Sequence, residues 1–126
     1  MAQGTTVLVV DDDPNALVLM GHFLKSLGVP QVNARSGFEA LEILRSDEPI
    51  ALVILDIAMP GMNGIKLAER IRGELGLPDL PLVALSARVD LQTQDMALDA
   101  GINEFIYKPF TPDSLRAVLA TYGIIG

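Results

Sequence analysis

Cysteine is absent from the 126 residues, which excludes disulfides, zinc–thiolate centres and thiol catalysis, and fits a reducing, cytoplasmic setting. Histidine occurs once. His22 sits among apolar neighbours in a helical segment with no catalytic partner nearby, so it reads as a packing or surface residue. Clustered positive charge is also missing: 9 Lys and Arg face 16 Asp and Glu, for a net charge of −7, which argues against direct nucleic-acid binding. No apolar run approaches the ~18 residues of a membrane span. The longest, Ile50 to Leu55, is far shorter. The start, MAQGTTVLVV, lacks a basic region and a cleavage-like site. We therefore expect no targeting signal and no membrane insertion. Internal repeats and low-complexity tracts are absent as well.

What remains is rich in apolar residues, 50% of the chain with a mean hydropathy of +0.40. That surplus has to be internal, as in a sheet covered on both faces. Short β-branched runs alternate with helical periodicity. VLVVD (7–11) reads as a buried strand. Asp13-Pro14 reads as an N-cap followed by proline at the first helical position, and Ala16, Leu17, Met20, Phe23, Leu24 and Leu27 recur at helical steps until Gly28. A weaker strand, 31–35, precedes a helix holding Ala40, Leu41, Ile43 and Leu44. ALVILD (51–56) is a third strand, and Leu67, Ala68, Ile71 and Leu75 mark a third helix from about residue 64. After LPDLP come PLVALSA (81–87), a weakly amphipathic helix over 89–99, the strand EFIYK (104–108) and a last helix opened by Thr111-Pro112-Asp113. Five strand–helix alternations predict an α/β fold with a parallel sheet and helices on both faces, in one domain spanning 1–126 with its core at about 5–122.

In such sheets the binding site lies at the carboxyl ends of the strands. Strand one ends on Asp11 and Asp12, strand three on Asp56, strand four on Ser86 and strand five on Lys108. Crowded carboxylates repel by about 4 kcal/mol per pair at ~4 Å and an effective dielectric near 20. Either one is protonated or a cation sits among them. Oxygen donors without histidine or cysteine favour magnesium or manganese over zinc. Lys108 supplies a positive charge and Ser86 a hydroxyl, both suited to a tetrahedral dianion. The rim therefore reads as a phosphoryl site beside a divalent metal.

The pieces VLVVDDDP, LVILDIAMPGMNG, LVALSA and EFIYKPF stand in an order and spacing that resembles the receiver domain of two-component response regulators, over residues 5 to 122. The resemblance implies a flavodoxin-like doubly wound sheet in the order 2-1-3-4-5 with five helices. It implies that Asp56 is the phosphoacceptor, that Asp12 binds Mg2+ directly and Asp11 mostly through water, and that the carbonyl of Ala58 completes the protein's share of the shell. It also implies that Ser86 and Lys108 contact the phosphoryl oxygens, that Phe105 is an aromatic switch, and that Lys108-Pro109 is cis. The implied donor is a sensor histidine kinase or a phosphotransfer protein, and the implied target an output protein or domain reached through the helix 4–strand 5–helix 5 face, with a phosphorylation-dependent dimer as one form. Such a chain is a signalling domain that assists its own phosphorylation, not an enzyme.

Bland readings stand beside these. Asp13 is a helix cap rather than a third ligand. Ser86 alone would be a strand-end hydroxyl and Phe105 alone a core residue. Met59 and Met62 pack a loop, and Gly61 and Gly64 meet backbone needs. Ala58 and Arg88 depart from the commonest receiver patterns, and Ala58 can neither position nor shield a hydrolytic water. Phe105 lacks the hydroxyl of the frequent tyrosine. A haloacid-dehalogenase-like phosphatase would need a second aspartate where Ala58 stands, plus a cap domain. A pure interaction module would have lost site residues, and a nucleotide or flavin binder would need glycines where Asp12-Asp13-Pro14 stands. LVALSA and DAGINEF resemble receivers of hybrid histidine kinases, so a receiver cut from a longer kinase or regulator is the alternative. Nothing but Gly-Ile-Ile-Gly follows the last helix, so no output domain is expected.

Overall fold

Alternate residues of the inner strands feed two different cores. The computed structural model describes residues 5–87 and 90–126. Its elements are β1 (Thr6–Val10), α1 (Pro14–Ser26), β2 (Gln31–Ala34), α2 (Gly37–Arg45), β3 (Ile50–Asp56), α3 (Gly64–Gly73), β4 (Leu82–Ser86), α4 (Leu91–Asp99), β5 (Glu104–Tyr107) and α5 (Pro112–Thr121). All paired strands are parallel and the order is β2-β1-β3-β4-β5. Val7, Val9, Leu52, Ile54, Val83 and Leu85 pack with α1 and α5. Leu8, Val10, Val53, Leu55, Leu82 and Ala84 pack with α2, α3 and α4. The period of two puts successive side chains on opposite faces, so a strand buried on both reads as an unbroken apolar run. Each fully buried leucine or isoleucine contributes about 1.5–3 kcal/mol of transfer free energy.

Helix starts follow from local chemistry. The side chains of Asp13, Ser36, Asn63, Asp90 and Thr111 accept N–H groups of the first turns of α1, α2, α3, α4 and α5. Each satisfies a donor that the helix cannot. The expected cap at Asp13 is thus present, its Oδ1 3.0 Å from the Asn15 N–H.

Several boundaries differ from the sequence expectation. β4 begins at Leu82 because Pro81 has no N–H, although its carbonyl still accepts from Val53 at 3.0 Å. Asp11 and Lys108 lie one residue past the ends of β1 and β5. α3 ends at Gly73, and Leu75 packs from the following turn. α4 starts at Leu91; the expectations at residue 89 and at Arg88 fall outside the described residues. Its weak amphipathy has a structural counterpart, since Ala97 is its one buried residue.

Candidate functional site

Among the described residues, the buried polar or charged side chains are Asp11, Asp56 and Ser86, at 2%, 6% and 6% exposure. All three lie at the carboxyl rim of the sheet. Register brings them together: Val10 pairs with Leu55, so Asp11 and Asp56 follow side by side, while Ser86 pairs with Tyr107, so Lys108 follows next to it. The Lys108 N–H donates to the Ser86 carbonyl at 2.9 Å, tying the two strand ends.

Asp11, Asp12 and Asp56 each offer a carboxylate oxygen, and these oxygens lie within 4.8 Å of one another. Lys108 Nζ stands 3.3 Å from Asp56 Oδ2. The Ala58 N–H donates to Asp56 Oδ1 at 3.3 Å. Asp11 Oδ1 accepts the Asp13 N–H at 3.0 Å, whereas Asp11 Oδ2 is buried without a hydrogen-bond partner. Burial pushes the Asp11 carboxyl above its ordinary range; the Asp13 N–H opposes this, Asp56 adds to it, Lys108 opposes it and Asp12 adds a little more. An orphaned buried oxygen beside two more carboxylates is costly unless a proton or a cation joins them. The donors are all oxygen, which fits a hard divalent ion.

Asp56 also borders an open cleft of about 330 Å³, walled by Ile57, Ala58, Ser86, Ala87, Asp90, Thr93 and Lys108. The cleft has room for a phosphoryl group. Sequence reasoning missed Asp90 and Thr93 as wall residues. Asp90 caps α4 by accepting the Thr93 N–H at 2.7 Å, and an aspartate three residues before a threonine was the available signal.

Two glycines shape the approach to Asp56. Gly61 has φ +80°, a conformation that side-chain-bearing residues rarely adopt. At Gly64 a Cβ would sit 2.4 Å from the Asp56 carbonyl oxygen and 2.7 Å from Leu55 Cδ1. Only a glycine lets α3 close onto the end of β3, where its N–H donates to Ile57 O at 2.9 Å. Met59 and Met62 are buried in the core, as loop-packing residues. His22 is exposed.

Phe105 stands apart from the carboxylates. It is half-buried against the core under α2, α3 and α4, and its ring stacks on Tyr107 at 6.2 Å and an interplanar angle of 6°. The Lys108-Pro109 peptide is cis, as the resemblance implied.

The family model described as the response regulator receiver domain matches residues 7–120. A chemotaxis protein CheY homolog from Campylobacter jejuni is 35% identical over 114 residues, covering 90% of this chain and 88% of that one. The sensor histidine kinase RcsC from Salmonella typhi is 39% identical over 116 residues; the match spans 92% of this chain and 12% of that protein's length. Among solved structures, the chemotaxis protein CheY4 of Vibrio cholerae superposes with a TM-score of 0.86 over 96% of this chain and 99% of that one, at 24% identity, a likeness of fold.

Proposed function

Since the chain belongs to the receiver-domain family of response regulators, we propose that Asp56 is its phosphoacceptor, charged from the phosphohistidine of a sensor histidine kinase or phosphotransfer protein. The protein is a signalling module rather than an enzyme in the ordinary sense. One observation carries the assignment: Asp56 is a buried carboxylate with an ammonium at 3.3 Å, facing an open cleft. In the transfer an Asp56 oxygen attacks phosphorus in line. The new O–P bond forms as the P–N bond breaks, and its electron pair stays on the imidazole nitrogen. Lys108 then pairs with one phosphoryl oxygen and the Ser86 hydroxyl donates to another.

The carboxylates of Asp11, Asp12 and Asp56 and the carbonyl of Ala58 would hold Mg2+, with Mn2+ accepted in its place. When bound, that ion neutralises charge on the phosphoryl oxygens. The unpartnered Asp11 Oδ2 supports this reading. An apolar groove of about 360 Å³ beside the site, lined by Ala16, Leu19, Met20 and Phe110, suits a helix carrying the donor histidine. No helix among the described residues is long and apolar enough to cross a membrane.

The output follows from the new contacts. Charge-assisted hydrogen bonds contribute about 1.5–3 kcal/mol each; Lys108 exchanges its pairing with Asp56 for one with the phosphoryl group, so the net of the Ser86 and Lys108 contacts biases a two-state equilibrium. Ser86 moves toward the phosphoryl group, Phe105 turns into the vacated space, and α4, β5 and α5 present a changed face to an output protein or domain. α4, with one buried residue, has the fewest of the five helices. The 39% identity to RcsC favours a second reading, a receiver within a longer hybrid kinase; the coding sequence on either side separates the two.

Incubation with Mg2+ and acetyl phosphate tests the acceptor. One acid-stable, base-labile phosphoryl group should appear, and Asp56→Asn should abolish it. Equal labelling of that variant would place the acceptor elsewhere.

A further inference from the structure

Helix α4 presents three exposed large apolar side chains. Leu91 is 77% exposed, Met96 52% and Leu98 47%, and Tyr107 on the neighbouring edge strand is 46% exposed. Leu91 and Leu98 are seven residues apart, two turns or about 10 Å along one line of the helix. Asp95 lies between them on the same side. The charge here has one sign. From Asp90 to Tyr107 the sequence holds Asp90, Asp95, Asp99 and Glu104 and no lysine or arginine, whereas α3 carries Lys66, Arg70 and Arg72. Asp95 and Asp99 are exposed, and neither appears among the ion pairs of the described residues.

We propose that this acidic, leucine-bearing face of α4 docks a basic amphipathic helix of a different protein, and not a second copy of this chain. The inference rests on the proposed role of the α4–β5–α5 face in output, and adds the chemistry of the partner. Apolar side chains at i, i+3 or i+4 and i+7 of the partner meet Leu91 and Leu98, and flanking lysines or arginines meet Asp95 and Asp99. A two-fold pairing places the same patch on both sides of the interface. Through α4 itself it would set aspartates against aspartates, the cations of the wider face being Lys108 after β5 and exposed Arg116 on α5. That repulsion selects against self-association. It also disfavours an anionic lipid surface.

The test uses the full chain, isotopically labelled, with Mg2+ and beryllofluoride. The probes are a leucine–lysine peptide of helical spacing and its leucine–glutamate counterpart. The lysine peptide should bind and shift the resonances of Leu91, Asp95, Leu98 and Tyr107, and weaken with salt. The double variant Asp95→Lys, Asp99→Lys changes exposed residues outside the helix cap. It should weaken the lysine peptide about tenfold or more, since two attractions become two repulsions, while acetyl phosphate labelling of Asp56 stays as in the parent. Equal binding of both peptides, shifts confined to α1, or an unaffected double variant would overturn the proposal. So would a dimer, seen by sedimentation, that reversing these charges abolishes. Loss of Asp56 labelling with peptide discrimination intact would count against the phosphoacceptor assignment and support this surface.

Discussion

Asp11→Asn separates the two electrostatic regimes of the site. Without metal, an Asp11 oxygen lies within 4.8 Å of one from Asp56, and both side chains are buried. At an effective dielectric near 20, full charges at that separation repel by on the order of 3 kcal/mol. Lys108, 3.3 Å from Asp56 Oδ2, offsets part of this, and burial of Asp11 adds a desolvation cost that the Asp13 N–H partly repays. The asparagine keeps an oxygen for that N–H, and its amide can donate toward Asp56. We therefore expect Asp11→Asn to stabilise the metal-free fold by about 1–2 kcal/mol. In urea at pH 7 with EDTA, the midpoint should rise by roughly 0.5–1 M. Saturating Mg2+ should reverse the order. A ligand at 100 times its dissociation constant stabilises by about 2.7 kcal/mol, a gain that the parent realises in full and the variant, having lost a donor, does not. A variant no more stable than the parent in EDTA, or one that Mg2+ stabilises equally, would refute the account of the rim as a preassembled cation site.

Three further expectations follow from the same geometry. Asp12→Ala should weaken Mg2+ binding roughly tenfold or more by calorimetry, and unchanged affinity would remove Asp12 from the shell. Gly64→Ala forces a Cβ to within 2.4 Å of the Asp56 carbonyl; it should cost more than about 2 kcal/mol in urea unfolding and slow labelling by acetyl phosphate, since overpacked sites yield only by moving backbone. Beryllofluoride with Mg2+ should change hydrogen exchange mainly over residues 86 to 122 and little over residues 36 to 46, and equal change in both would refute the switch.

Much of the site was legible because its residues violate a local rule. A carboxylate closing an apolar run, as Asp56 closes Val53-Ile54-Leu55, is a burial cost with no local compensation, so it points to something opposite. Asp11 and Ser86 stand out for the same reason, and all three are buried where that reasoning placed them. The strand–helix alternation was visible because strands buried on both faces carry no polar interruptions. The strand order was not contained in periodicity and came from the resemblance. Boundaries were blurred by a residue or two, because a proline such as Pro81 extends a run in sequence without entering the ladder through its nitrogen.

Arg72 was invisible for a different reason. On α3 it follows Ile71 and reads as one more solvated charge, yet its guanidinium donates to the carbonyls of Leu77 and Leu80 at 2.6 Å, to that of Gly101 at 2.7 and 3.1 Å and to Asn103 Oδ1 at 2.9 Å. Burial lowers its pKa, with Asp79 opposing. The side chain thereby joins the loop before β4 to the turn after α4, and Gly101, at φ +104°, makes room where a Cβ would meet Arg72 Cγ at 2.6 Å. An arginine recognised by an acidic partner can be guessed from charge spacing. Here four of the five bonds end on backbone carbonyls, which every residue carries, so nothing in the sequence distinguishes these acceptors from any others. Only the path of the chain brings them to one place. The same clamp ties the turn after α4 to α3 and to the loop before β4.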